Sequence, residues 1–145
     1  MKLELINGPN LDRLGSRQVE IYGSQGLQEL QDQLTARFPA VRWSFFHSNH
    51  EGELIERLHS VDDRVDGVII NPGGLSHTSV VLLDALLVLK TPVVEVHISQ
   101  VLAREDFRRT LLSARGARAV VCGMGLWGYE AAAHYLLQLR EGPCA

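Results

Sequence analysis

Polar and apolar positions along the chain follow two periods. Five short apolar or β-branched runs, at residues 2–6, 41–47, 67–71, 92–97 and 118–122, have the length and composition of strands. Between them, helical spacing covers residues 24–38, 51–61, 78–90, 104–113 and 127–140. Pro39 and Pro92 follow helical stretches, where proline makes a natural stop. Strands alternating with helices predict a parallel sheet with right-handed crossovers. The expected fold is α/β: a flavodoxin-like, doubly wound, five-stranded parallel sheet in three layers. Residues 1–145 read as a single domain, with no repeat, linker or low-complexity segment. The one long connection spans residues 7–23, a length that in a compact domain usually serves function.

Residues 71–79, N-P-G-G-L-S-H-T-S, join the third strand to the third helix. In open α/β sheets, ligands bind in the crevice beyond the carboxyl ends of the strands. Pro72 and two glycines keep this backbone irregular and allow close approach. Asn71, Ser76, His77, Thr78 and Ser79 add polar groups beside a helix N-terminus, which favours an oxyanion. The same stretch also fits an ordinary turn capped by Ser76 or Thr78. The helix that follows is apolar nearly all round, so it is expected to be covered on both sides, by the sheet and by a neighbouring subunit. Asp84 interrupts it among Val80, Leu87 and Val88, and either meets a partner or is exposed at the helix end.

Composition narrows the function. Hydrophobic residues make up 46% and charged residues 21%, as in a globular protein. The net charge of −3 argues against nucleic acid, whose phosphates need a basic surface. No apolar run reaches membrane-span length and the first residues lack a signal-peptide pattern, so a cytoplasmic protein is expected. Cys122 and Cys144 are the only cysteines, which fits a reduced compartment.

Four strand ends are polar where the crevice should lie. They supply residues 7–10 with Asn10, residues 48–50, residues 71–79, and Glu95, His97 and Ser99 alternating onto one face. Arg104 and Arg108 follow, four apart on the expected fourth helix; they suit a carboxylate clamp or a solvated basic face. The long loop carries Arg13, Arg17 and Tyr22. A nearby arginine lowers a tyrosine pKa, so Arg17 and Tyr22 could form an activated base; a lone loop tyrosine also packs. Other patterns carry less. Residues 123–128 match G-x-G-x-x-G, but no later strand supplies a ribose-binding acid, so close packing of the last strand on the last helix is expected. His47, His50, Glu51 and Glu53 fit no common zinc spacing. Lys2 and Lys90, the only lysines, lie away from the crevice, which disfavours imine chemistry.

Several stretches together resemble the type II 3-dehydroquinate dehydratases over nearly the whole chain: I-N-G-P-N-L, the L-G-x-R…I-Y-G loop, F-x-x-S-N-H-E-G-E-L, I-I-N-P-G-G-L-S-H-T-S-V, V-E-V-H-I-S and A-R-E-D-F-R. The resemblance implies dehydration of 3-dehydroquinate by anti elimination through an enolate, without metal or organic cofactor. It also implies a dodecamer built as a tetramer of trimers. In that scheme Tyr22 is the base and Arg17 lowers its pKa. His97 protonates the departing hydroxyl and Glu95 orients it. Asn10 helps stabilise the enolate. Asn71, His77, Ile98 with Ser99, and Arg108 hold substrate, and Asp84 reaches an adjacent subunit's site. The chain departs from the family pattern at Gln18 and Val19, where Glu and Pro are usual, and at Leu83, Gln100 and Trp127.

Rival readings lack their signatures. A flavodoxin-like redox protein needs a Ser/Thr-rich phosphate loop after the first strand, where N-G-P-N stands. A receiver-like signalling domain needs acids at positions held by Asn7 and Asn71. A catalytically silent anion-binding homologue is a third reading.

Overall fold

A computed structural model describes residues 1–14 and 26–142. The strands are β1 (Lys2–Asn7), β2 (Arg42–His47), β3 (Gly67–Asn71), β4 (Val93–His97) and β5 (Ala119–Cys122). The α-helices are α1 (Leu27–Arg37), α2 (Glu51–Val61), α3 (Val80–Leu87) and α4 (Trp127–Glu141). All five strands are parallel, in the order β2-β1-β3-β4-β5. This is the flavodoxin-like arrangement that the alternation of elements predicted.

Alternation along the central strands divides the interior in two. Leu3, Leu5, Ile69, Val94 and Val96 face α1 and α4 and meet Leu30, Leu34, Tyr129 and Leu136. Ile6, Val68, Ile70 and Val93 face α2 and α3 and meet Leu54, Leu58, Leu82 and Leu86. Each fully buried leucine contributes about 1.5–3 kcal/mol by leaving water. Glu4 points into the second layer from the middle of β1 and is fully buried. Arg57 on α2 neutralises it with a two-pronged contact, Nε to Oε1 at 2.7 Å and Nη2 to Oε2 at 3.0 Å. A buried carboxylate requires such a partner.

The strand ends are level, which is what builds a crevice. Asn7 is in register with both His47 and Asn71, and His97 with Cys122. Two expectations need correction. The third helix is shorter than residues 78–90: the Ser79 hydroxyl caps it by accepting from Leu82 N, and neither Ser76 nor Thr78 does so. Residues 104–113 form no α-helix; Asp106–Arg109 is a 3-10 turn, followed by another at Ser113–Gly116. Tertiary partners take the backbone there. Leu112 N donates to the Ser76 carbonyl, and the Thr110 carbonyl accepts from His77, so the i→i−4 ladder is not built.

Candidate active site

The loops after β1 and β3 press together, and two glycines permit it. A side chain at Gly8 would lie 2.8 Å from the Pro72 carbonyl oxygen, and one at Gly73 3.0 Å from that of Pro9. Gly73 also has φ +59°, a left-handed conformation suited to glycine. Gly8 N donates to the Asn71 carbonyl at 2.8 Å. Asn10 is left-handed as well, at φ 68°, and its N–H is held by Asn49 Oδ1 at 2.7 Å. These loops and the one after β4 enclose a cavity of about 310 Å³. Asn10, Asn71, His77, His97, Ser99 and Arg108 all line it, and so does Ile98.

β4 brings a carboxylate and an imidazole together at the cavity. Glu95 and His97 lie two residues apart, hence on one face, and His97 Nε2 is 2.7 Å from Glu95 Oε1. Glu95 is fully buried and His97 is 5% exposed. With Nε2 donating to the carboxylate, Nδ1 is the ring nitrogen left for chemistry in the cavity. The His77 ring stacks 6.3 Å away, centroid to centroid. Its Nδ1 is 2.9 Å from the Thr110 carbonyl, which only accepts, so Nδ1 carries the proton and Nε2 of the neutral ring accepts.

Asn71 is fixed from behind. Its Nδ2 donates to Tyr129 Oη at 2.8 Å, Tyr129 Oη donates to Asn7 Oδ1 at 2.8 Å, and its own Oδ1 accepts from Gly73 N. Burial pushes the Tyr129 phenol well above its ordinary range, with the Asn71 hydrogen bond opposing that shift. Tyr129 is therefore a neutral relay between two strand ends. Ser76 is buried, with its hydroxyl bonded to the Gly73 carbonyl; like Ser79 it shapes the turn.

The arginines reach the cavity without the expected helix. Arg108 Nε donates to Glu105 Oε2 at 2.9 Å, and Arg104 Nε lies 3.4 Å from that oxygen. Arg104 Nη1 is also 3.4 Å from Ser99 Oγ. Arg13 and Glu105 complete this charged part of the wall.

Tyr22 and Arg17, like Gln18 and Val19, lie outside the described residues. Asp84 is exposed on α3 and does not line this cavity. No lysine lines it among the described residues; Lys90 pairs with Asp63 at 2.9 Å. The glycine-rich stretch packs as expected: a side chain at Gly128 would meet Val121 and Val96 at 3.2 and 3.3 Å. It also holds the end of β4, since Gly123 N and Gly125 N donate to the His97 and Ile98 carbonyls. Gln100 accepts from Cys122 Sγ, and Trp127 is 55% exposed. Sequence reasoning missed Tyr129 and Glu105. The small residues beside Tyr129 in G-Y-E-A-A-A signal its burial, while nothing in the sequence places Glu105 on two arginines.

The family model described as Dehydroquinase class II matches residues 1–137. The chain is 50% identical over 140 residues to 3-dehydroquinate dehydratase of Methylococcus capsulatus, covering 94% of this chain and 95% of that protein. It is 47% identical over 133 residues to catabolic 3-dehydroquinase 2 of Aspergillus fumigatus, covering 90% and 89% respectively. The crystal structure of type II dehydroquinase from Butyrivibrio crossotus superposes with a TM-score of 0.91 at 35% identity, covering 94% of this chain and 97% of that one.

Proposed function

The chain belongs to the class II dehydroquinase family, and from that premise we propose how its residues carry out the reaction. It dehydrates 3-dehydroquinate to 3-dehydroshikimate, a step that fits both the shikimate pathway and quinate catabolism. The elimination is anti and runs through an enolate. Tyr22, its pKa lowered by Arg17, removes the proton beside the ketone. Asn10 stabilises the enolate. His97 gives a proton to the hydroxyl that leaves, so the carbon–oxygen bond breaks with release of water.

The observation that supports this most is the buried Glu95–His97 couple facing a cavity lined by Asn71, His77 and Arg108. A carboxylate on one ring nitrogen stabilises the protonated imidazole and orients the other nitrogen, as a general acid requires. Asn71, His77, Ile98 with Ser99, and Arg108 hold the substrate. Adding 3-dehydroquinate to the pure protein should produce the ultraviolet absorbance of a conjugated enone; no rise would refute the reading.

The enzyme works as a homo-oligomer, a dodecamer made of four trimers, in the cytoplasm. Support for assembly comes from α3, where Leu82, Ala85 and Leu86 are buried while Val80, Val81, Leu87 and Val88 are each more than half exposed. Asp84 sits within that open face and contributes to the site of the adjacent subunit. No helix among the described residues is long and apolar enough to cross a membrane.

A further inference from the structure

The ends of β1, β3 and β4 supply the cavity residues that the proposed reaction uses. The end of β2 supplies none, and residues 47–50 do not line the cavity. It is nevertheless firmly held. Ser48 is buried, and its N–H donates to the Asn7 carbonyl at 3.1 Å. Its hydroxyl donates to Glu53 Oε2 and accepts from His50 N at 2.9 Å. The backbone on both sides of Asn49 is therefore anchored, and the Asn49 side chain reaches across to the loop after β1. Its Oδ1 accepts from Asn10 N at 2.7 Å. Its Nδ2 donates to Asp12 Oδ2 at 3.5 Å. The two contacts fix which way the amide faces, because the Asn10 N–H needs an acceptor and a carboxylate needs a donor. Asn10 meets Asn49 in a conformation that few non-glycine residues adopt, φ 68° and ψ 1°. On its other side the Asn10 carbonyl accepts from Arg13 N at 3.1 Å.

We propose that Asn49 is a positioning residue for Asn10: its amide holds the Asn10 backbone in the left-handed conformation that places Asn10 on the cavity wall, so the end of β2 serves the reaction through the loop after β1. The inference rests on Asn10 being the residue that stabilises the enolate. Rotation about N–Cα and Cα–C sets how the side chain leaves the backbone. Once the N–H and the carbonyl of Asn10 are both held, the direction of its Cα–Cβ bond is settled. That direction brings Asn10 to the cavity. Left-handed backbone is disfavoured for a residue with a Cβ, and asparagine is among the few that visit it. Releasing the N–H lets residue 10 turn towards negative φ and takes its amide off line. Stabilising a developing oxyanion depends on groups already aimed at it, so the loss falls on the chemical step rather than on binding. Asn49 itself touches no substrate.

The test is a double-mutant cycle on turnover of 3-dehydroquinate, with the unmodified enzyme, N49A, N10A and N10A/N49A. N49A should lower kcat by roughly three- to tenfold, the range spanned by the net worth of one hydrogen bond. KM should change by less than about twofold, because the groups that hold substrate are untouched. N10A should lower kcat at least as much. In the N10A background, adding N49A should change kcat by less than about twofold, since N10A leaves no amide to aim. N49S keeps a polar group but is too short to reach the Asn10 N–H, so it should match N49A, and it carries the comparison where N49A does not fold. Failure of both to fold would make Asn49 a structural residue and overturn the inference. An equal loss of kcat in both backgrounds would overturn it alone, because Asn49 would then act independently of Asn10. So would a kcat in N49A within about twofold of the unmodified enzyme. Full kcat in N10A would overturn the role of Asn10, and this inference with it.

Discussion

Glu95 Oε1 and His97 Nε2 lie 2.7 Å apart on one face of β4, both shielded from solvent, with the second Glu95 oxygen buried and unpartnered among the described residues. The pair forms because residues two apart on a strand share a face, and because β3 and β5 flank β4 and exclude water. An imidazolium in this position is stabilised by a carboxylate that has no other described partner. Replacing His97 by Ala should therefore slow loss of the hydroxyl more than proton exchange beside the ketone. Deuterium exchange followed by NMR separates these steps, and equal slowing of both would remove His97 from the acid role. Glu95→Gln should lower kcat with a smaller change in KM.

Proton removal calls for a base stronger than its surroundings ordinarily allow. Tyr22→Phe deletes only the ionisable hydroxyl and should lower kcat by ~10²–10⁴, the scale of a general acid–base contribution. Product binding, measured by calorimetry, should be retained. A base acts in its deprotonated form, so activity rises with pH through the tyrosine pKa. With Arg17 lowering that pKa as proposed, Arg17→Ala should move the rising, low-pH limb of the profile to higher pH. Near-normal turnover in Tyr22→Phe would transfer the role to another group, His77 and His97 first.

Tyr129 links Asn71 to Asn7 across 2.8 Å contacts on both sides. Tyr129→Phe leaves two buried amides each short of a partner, at a cost of about 1–3 kcal/mol in stability. A lower urea midpoint with unchanged slope would report it, and KM should rise because Asn71 is no longer fixed. The pH dependence follows from the raised phenol. In the folded state the proton is held more tightly than in the unfolded chain, whose tyrosine titrates near pH ~10. This contribution is fully present below that pH and declines as the pH rises above it. The alkaline loss of stability should be smaller in Tyr129→Phe.

The exposed face of α3 should be covered in solution. Sedimentation is expected to give a large closed oligomer, and only monomer across a wide concentration range would contradict it. Asp84→Ala should weaken assembly more than Glu56→Ala, a change at an exposed carboxylate on α2. Equal effects would argue against Asp84 lying in the contact.

The five strands and their parallel order were legible because a strand buried on both faces must be apolar and because crossovers need intervening helices. The polar strand ends marked the crevice for the same reason: Asn71, His77, His97 and Ser99 are placed there by chain direction alone. Helix ends were less legible. The sequence pattern at residues 104–113 satisfies helical spacing, yet Ser76 O takes the Leu112 N–H and His77 takes the Thr110 carbonyl. Local propensity is worth tenths of a kcal/mol per residue, which hydrogen bonds from another loop outweigh. Asn71 could be named from its strand end, whereas its partner Tyr129, 58 residues away, could not. Nor could the sequence show that Glu105 joins Arg104 and Arg108 through one oxygen, because that depends on side-chain directions in a turn with no regular period. Chain direction and burial thus reveal the strands and their polar ends, while the hydrogen-bond partners and the fixed nitrogen of His77 depend on contacts between residues far apart in sequence.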